Sequence, residues 1–129
     1  MTLLLDTCTF LWLVADDPRL PLRGRTECRA PSNVVYLSAL SVWEIAIKHR
    51  LGRLPLPESP GSFVASRRQR LRIDPLPFDE RDGAHDVLLP AHHRDPFDRG
   101  LVSQAILRGL TIVTPDPAIA RYPAPVLWF

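Results

Sequence analysis

The sequence has few of the features that mark secreted or membrane-anchored proteins. Its two cysteines, Cys8 and Cys28, are too few for a disulfide framework and lack the paired spacing of a zinc site. The longest apolar stretch near the start, residues 2–15, is interrupted by Asp6 and the polar residues after it, and no basic residue precedes it. It therefore predicts neither a signal peptide nor a transmembrane helix. We expect a cytoplasmic protein that does not enter membranes.

A large excess of charge of one sign is also missing. The 129 residues carry 16 basic and 14 acidic side chains, and the net charge of +2 does not by itself indicate a nucleic-acid binder. The bases are nevertheless arginines except for Lys48, and four of them are Arg67, Arg68, Arg70 and Arg72. Arginine is better suited to phosphate than lysine, but a solvated helix face explains the same cluster. Both interpretations stay open at this point.

Length and a hydrophobic content of 46% are typical of one soluble domain, here residues 1–129. Short apolar runs predict strands at residues 3–5, 34–37, 110–113 and 126–128. Helices are predicted at residues 38–51, 61–72, 79–89 and 96–109, with a proline-rich loop at residues 55–60. Strands that alternate with helices predict an α/β fold with an open, mostly parallel sheet.

Four acidic residues are predicted to meet at one edge of this sheet, because ligands of open parallel sheets bind where the carboxyl ends of the strands emerge. Asp6 directly follows the first strand, and Asp116 follows the strand at 110–113 after two residues. Glu44 lies in the first turns of the helix that leaves the second strand. Asp98 begins a helix that runs back along the strand it feeds, so the start of this helix lies beside that strand's end.

Three of these acids also have a structural explanation. Asp6 suits the N-cap of a following helix. Glu44 is the only charged residue in the ten positions 38–47, and it lies one turn before Lys48, in the order that favours an ion pair. Asp116 stands in Thr-Pro-Asp-Pro, a sequence typical of turns. Pairing with Lys48 and metal binding by Glu44 are compatible, because Lys48 can temper the acidic cluster or contact a phosphate.

Asp95 and Asp98 are predicted to have different roles. Asp95 precedes Pro96, and an acid followed by proline is a typical helix start. Asp98 shares a helical stripe with Leu101 and Val102, which points it along the buried face. Asp95 is therefore predicted to cap the helix and support the site, while Asp98 is predicted to be a ligand.

The chemistry that four converging carboxylates favour is metal-dependent hydrolysis. Hard oxygen ligands indicate Mg²⁺ or Mn²⁺ rather than zinc, and crowded carboxylates repel one another unless a cation offsets them. An ion held with an open face activates water for attack on a phosphodiester. His92 and His93 precede Arg94 and Asp95, but the His-Asp pair of histidine–aspartate phosphohydrolases is missing. We expect these histidines to hold the start of the helix.

Four stretches in order resemble the PIN-domain toxins of the VapC type, and the resemblance covers nearly the whole chain. The stretches are residues 6–13, residues 37–48, residues 89–99 with Gln104 and Ala105, and residues 113–116. That family has a three-layer α/β fold with a mostly parallel central sheet flanked by helices. Its acidic pocket binds Mg²⁺ or Mn²⁺ and cleaves RNA.

The resemblance implies an Mg²⁺-dependent endoribonuclease that is the toxin of a type II toxin–antitoxin system. It implies the same acids as catalytic and metal-binding residues, Asp6, Glu44, Asp98 and Asp116. Supporting roles fall to Thr7 and Thr114, beside the first and last acids. A cognate VapB-like antitoxin, an RNA substrate and a homodimer or toxin–antitoxin hetero-oligomer are the implied partners.

Two departures from the family pattern stand out. Gly100 replaces a bulky apolar residue and is expected to loosen its helix by roughly 1 kcal/mol. Pro115, before Asp116, bears on how the fourth acid is aimed. The alternatives to a nuclease are a catalytically inactive PIN-like module for RNA binding or interaction, and a phosphoacceptor signalling domain. The second alternative needs a pair of acids after the first strand and a late lysine, whereas here only Asp6 follows that strand and Lys48 comes early.

Overall fold

The computed structural model describes residues 1–92 and 94–129, and a β-sheet forms its centre. Within these residues the strands are β1 (Thr2–Leu5), β2 (Val34–Ser38), β3 (Asp74–Leu76), β4 (Thr111–Val113) and β5 (Val126–Leu127). They lie in the order β3-β2-β1-β4-β5, and each neighbouring pair is parallel. The prediction of a mostly parallel α/β sheet is thus confirmed.

Helices connect the strands and cover both faces of the sheet. They are α1 (Thr7–Ala15), α2 (Leu22–Arg29), α3 (Ala39–Arg50), α4 (Pro60–Leu71), α5 (Glu80–Ala84) and α6 (Pro96–Arg108), with short 3₁₀ turns at His85–Leu88 and Ile119–Arg121. In the described part of the chain, none of these helices has the length and apolar character that crossing a membrane requires.

The core consists of two apolar clusters, one on each side of the sheet. Successive residues of a strand point to opposite faces, so Leu3 and Leu5 enter one cluster and Leu4 the other. The first cluster packs against side chains of α1, α2, α3 and α4, and the second packs mainly against α6. Burial of β1 on both faces accounts for its run of three leucines.

The predicted ends of α3 and α6 are confirmed by their capping contacts. Ser38 caps α3 by accepting a hydrogen bond from the Leu40 amide at 3.1 Å. Asp95 caps α6 by accepting a hydrogen bond from the Phe97 amide at 2.9 Å, and Pro96 opens the helix. Gly109 ends α6 in the left-handed conformation, with φ 67°, a position that favours glycine.

Several elements differ from the sequence-based expectation. The helices α1 and α2 and the strand β3 were not predicted, and Pro60 begins α4 instead of belonging to the preceding loop. Proline is favoured at the first helical position because its missing N–H would lack a helical partner there.

The structure shows what Gly100 makes room for, and it leaves the expectation that this glycine loosens α6 untested. A Cβ at this position would lie 2.2 Å from Leu40 Cδ1 and 3.2 Å from Phe78 Cε2. Gly100 is buried, and the space of the expected bulky side chain is filled by these two neighbours. The glycine therefore allows α3 and α6 to approach closely at the end of the sheet from which both helices start.

Candidate active site

The candidate site lies at the carboxyl edge of the sheet, where the chain leaves β1 and β4. The strand β1 lies at the centre of the sheet. The chain adds β2 and β3 on one side of β1 and β4 and β5 on the other, so the carboxyl end of β1 is the topological switch point of the fold. The Asp6 amide donates to the Val113 carbonyl oxygen at 3.2 Å, so the two strand ends are fixed against each other. Residues that follow β1 and β4 are therefore neighbours in space.

Asp6 occupies the centre of this edge and is only 5% exposed. Its Oδ1 accepts from the Thr9 amide at 2.9 Å and caps α1, and its Oδ2 accepts from Thr114 Oγ1 at 2.5 Å. The Cys8 thiol, whose pKa is raised to about 12, lies 3.4 Å from Oδ1. In the part of the chain that the structure describes, the groups bonded to this carboxylate are thus neutral donors.

Asp116 is linked to Asp6 through one side chain. The Asp116 amide donates to Thr114 Oγ1 at 3.1 Å, and the same hydroxyl donates to Asp6. Asp116 Oδ1 accepts from the Ala118 amide at 2.9 Å, which is the turn contact expected of the Thr-Pro-Asp-Pro sequence. The structure therefore places Asp116 beside Asp6, with part of its carboxylate engaged in the turn.

Glu44 is held by Thr7, the residue that follows Asp6 and begins α1. Thr7 Oγ1 donates to Glu44 Oε1 at 2.6 Å and lies 3.0 Å from Ser41 Oγ. Lys48 Nζ lies 2.9 Å from Glu44 Oε2, and the Glu44 side chain is 14% exposed. The predicted Glu44–Lys48 pair is thus present, and one carboxylate oxygen of Glu44 faces α1.

Asp98 approaches the same region from the first turn of α6 and is half-buried. The pKa of Cys8 is raised mainly by burial, then by the charge and the hydrogen bond of Asp6, and in part by the charge of Asp98. Asp98 therefore lies close enough to the Cys8 thiol to act on it through space. The thiol itself contacts Asp6, with Sγ 3.4 Å from Oδ1.

The structure thus brings the four acids to one edge through intermediate residues. Thr114 links Asp6 with Asp116 through hydrogen bonds. Thr7, which follows Asp6, donates a hydrogen bond to Glu44, and the charges of Asp6 and Asp98 both raise the pKa of the Cys8 thiol. Among the described residues, no group of three or more His, Cys, Asp or Glu side chains is arranged so that it could hold a metal ion as it stands. The set of four ligands therefore remains a prediction.

The histidines take structural positions where they are described. His92 packs edge-on against Tyr122, with ring centroids 5.3 Å apart. His49 Nδ1 lies 2.9 Å from the Leu54 carbonyl oxygen. The expectation for His93 concerns a residue outside the described part of the chain.

The chemistry of the donors fits a hard divalent cation. Asp6 is a buried carboxylate whose hydrogen-bond donors are neutral, and a buried charge needs an opposite charge nearby. The carboxylate of Asp6 and the Thr114 hydroxyl that donates to it are oxygen donors, the type of ligand that Mg²⁺ and Mn²⁺ prefer. Asp6, Asp98, Glu44 and Asp116 are the residues that would hold such an ion.

Two residues of the site were missed in the sequence. Ser41 contacts Thr7, and Cys8 contacts Asp6. A signal for Ser41 was available, because it precedes Glu44 by three residues and so shares its helix face. For Cys8 the signal was its place in the first turn of the helix that Asp6 caps.

Comparisons with known proteins agree with this architecture. A sequence model of the PIN domain matches residues 3–125. The ribonuclease VapC16 of Mycobacterium tuberculosis is 44% identical over an alignment of 72 residues, and the match covers 53% of this chain and 51% of the relative. The chain thus spans about half the length of that curated relative.

Two solved structures resemble the fold over nearly their whole length. A VapBC2 structure from Rickettsia felis, bound to a DNA fragment from their promoter, has a TM-score of 0.75 at 18% identity and covers 100% of both chains. A VapBC-1 structure from nontypeable Haemophilus influenzae has a TM-score of 0.66 at 16% identity and covers 98% of this chain and 97% of that one. At these identities the likeness concerns the fold alone. Since the PIN-domain sequence model matches almost the entire chain, the protein belongs to the PIN-domain family.

Proposed function

We propose that this protein is an Mg²⁺- or Mn²⁺-dependent endoribonuclease and the toxin of a type II toxin–antitoxin pair. The observation that carries the proposal is the state of Asp6. It is a 5% exposed carboxylate at the switch point of a PIN-domain sheet, and its described hydrogen-bond donors are neutral. A divalent cation at this point supplies the charge that the buried aspartate needs.

Each residue has a distinct part in this proposal. Asp6, Asp98, Glu44 and Asp116 would hold the ion through their carboxylate oxygens. Thr114 fixes the orientation of Asp6 through its hydroxyl, and Thr7 does the same for Glu44. When bound, the ion lowers the pKa of a water molecule and stabilises charge on the phosphate oxygens.

Lys48 has a further role toward the substrate. It pairs with Glu44 through Nζ, yet its side chain remains 47% exposed. An exposed cation one helical turn beyond an acidic ligand is placed to meet the negative backbone of RNA as it enters the site. In this way Lys48 offsets the repulsion between the four carboxylates and the substrate.

The enzymatic part is tested with purified protein and end-labelled RNA. We expect cleavage with Mg²⁺ or Mn²⁺, loss of cleavage in EDTA, and recovery when the metal is added back. Asp98→Asn should reduce cleavage by orders of magnitude. The matched control is Asp74→Asn, which removes an exposed carboxylate at the opposite edge of the sheet. Cleavage that persists in EDTA would refute the mechanism, and RNA binding without cleavage would favour an inactive PIN-like module.

The biological part is supported by the names of the similar proteins, a ribonuclease VapC16 and two VapBC structures. We propose a VapB-like antitoxin as the partner, and a homodimer or a toxin–antitoxin hetero-oligomer as the assembly. A ribonuclease toxin acts where cellular RNA is, in the cytoplasm. Expression of the chain alone should arrest bacterial growth, and co-expression of the antitoxin should restore it. Normal growth with soluble, active protein would contradict the toxin assignment.

A further inference from the structure

A basic cleft lies at the end of the molecule opposite the acidic residues. It has a volume of about 470 Å³ and is lined by Val14, Asp16, Arg29, Arg70, Leu71 and Arg72. Asp16 follows the end of α1, and Arg29 ends α2 just before β2. Arg72 follows α4 and precedes β3 by two residues. The cleft is therefore at the amino edge of the sheet, where the parallel strands begin.

The cleft and the acidic site are connected by one short helix. Asp6 caps the start of α1 and Asp16 caps its end. A helix of nine residues is about 14 Å long. About four stacked nucleotides at 3.4 Å each cover this distance. An RNA strand that is cut at the acidic site is therefore long enough to reach the cleft with only a few nucleotides.

The charges of the cleft favour an anion. Three arginines face a single aspartate, and that aspartate pairs with Arg29, with Arg29 Nη2 and Asp16 Oδ1 3.0 Å apart. The two side chains remain 47% and 62% exposed. Arg70 Nη2 donates to the Val14 carbonyl oxygen at 3.4 Å, a contact long enough to be exchanged for a better acceptor. The planar guanidinium matches phosphate oxygens in a two-point geometry.

The backbone at this cleft places side chains where glycine is the usual residue. Asp16, with φ 51°, and Arg72, with φ 57°, are the two non-glycine residues with positive φ in the described part of the chain, and both line the cleft. Each follows the end of a helix, a position at which glycine fits without strain. At these two positions a charged side chain lines the cleft, whereas a glycine would contribute no side chain to it.

We propose that this cleft binds the phosphate backbone of single-stranded RNA a few nucleotides away from the bond that is cut. The inference rests on the proposed ribonuclease function and extends it by a second contact point for the substrate. Arg29, Arg70 and Arg72 supply the positive charge, and Asp16 limits it.

Two substitutions test the cleft in opposite directions without harming the fold. Arg72→Gly removes one guanidinium and gives the left-handed position the residue that fits it best. Asp16→Asn removes the competing carboxylate and keeps a residue type that tolerates a left-handed conformation. Both variants should melt at or above the temperature of the wild type. Arg81→Ala is the matched control, because it removes an exposed arginine on α5, outside the cleft.

The measurement is fluorescence anisotropy with a labelled oligouridylate of about twenty nucleotides, several times the length needed to reach the cleft. EDTA is present so that the RNA stays intact. We expect Arg72→Gly to weaken binding about three- to tenfold and to reduce the slope of log K against log salt by about 0.7, the value for one lost phosphate contact. Asp16→Asn should strengthen binding, and Arg81→Ala should change it least.

Cleavage kinetics separate this proposal from the proposed function. With Mg²⁺, Arg72→Gly should raise KM for long RNA and leave kcat unchanged, and it should not affect a dinucleotide, which is too short to span the two sites. If the wild type binds and cleaves RNA while all variants match it, the cleft proposal is overturned and the ribonuclease stands. A wild type that neither binds nor cleaves RNA overturns both. If polyglutamate competes as well as RNA does, the cleft is an acidic-peptide site, and the RNA assignment is wrong.

Discussion

Replacement of Asp6 separates its contribution to the fold from its contribution to the proposed metal site. The carboxylate accepts hydrogen bonds from the Thr9 amide and from the Thr114 hydroxyl. Asp6→Ala removes the N-cap of α1, worth about 1 kcal/mol, and leaves the buried Thr114 hydroxyl without this acceptor, at about 1–3 kcal/mol. We therefore expect the free energy of unfolding to fall by about 2–4 kcal/mol, which lowers the melting temperature by roughly 8–16 °C.

Asp6→Asn should behave differently although it removes the same charge. Asparagine caps helices as well as aspartate does, and its amide nitrogen can donate to Thr114 Oγ1, so Thr114 keeps a hydrogen-bonding partner here that alanine does not supply. The substitution also removes a buried negative charge whose described donors are neutral. In the absence of metal, its free energy of unfolding should equal or exceed that of the wild type, within about 1 kcal/mol.

Thermal and denaturant melts in EDTA and in Mn²⁺ provide the assay, together with RNA cleavage. The wild type should be stabilised by Mn²⁺, by about 2.7 kcal/mol at a concentration of about 100 times Kd. Both variants should lose this stabilisation and the cleavage activity. If Asp6→Asn destabilises the metal-free protein as much as Asp6→Ala does, the charge of Asp6 is structural. If it keeps the Mn²⁺ response, the ion is held by other residues.

Three further predictions concern helix α6 and the thiols. Asp95→Ala should lower the free energy of unfolding by about 0.5–2 kcal/mol and leave Mn²⁺ affinity intact. Asp98→Ala should instead weaken Mn²⁺ binding in calorimetric titration. If Asp95→Ala is the variant that binds Mn²⁺ weakly, the ligand assigned to Asp98 must be reassigned. Gly100→Leu should destabilise by about 1–3 kcal/mol because its Cβ lies within 2.2 Å of a neighbouring side chain, whereas Gly61→Leu, with open space around it, should not; equal melting temperatures would contradict this packing. The pKa values of the two thiols are raised from 9.0 to about 12 and about 11, mainly by burial. Because folding favours the protonated thiol, urea melts should show a falling free energy of unfolding as the pH rises above about 9, and a variant with both cysteines replaced by alanine should lose less stability over that range.

The strands and helices that the sequence predicted are those with a local signal. The leucines of β1 are buried on both faces, and α6 has an acid, a proline and a glycine at its ends. The helix α2 lacks such a signal, because only Gly24 and Cys28 are buried and no side chain caps it. The strand β3 contains Pro75, which ordinarily argues against a strand. It is tolerated because β3 lies at the edge of the sheet.

Site residues that directly follow a strand could be predicted from the sheet topology. Residues whose place in the site depends on side-chain contacts between helices were harder to predict. The rule that ligands gather at the carboxyl edge of parallel strands located Asp6 and Asp116. The alternatives weighed for single residues proved to be present as well, since Asp6 caps α1 and Glu44 pairs with Lys48. The Thr7 contact with Glu44 and the packing around Gly100 depend on how α3 meets α1 and α6, and a single sequence does not contain that geometry.

The position of β1 in the sheet has a consequence for the synthesis of the protein. The hydrogen bond between Asp6 and Thr114 joins residues that are 108 positions apart. At about 5–20 residues per second, a ribosome needs about 5–20 s to add the second partner after the first. During this interval β1 can pair with β2, but the strand on its other side has not been made. The acidic edge therefore closes only after Thr114 has been made, and until then the growing chain carries Asp6 without one of its hydrogen-bond donors.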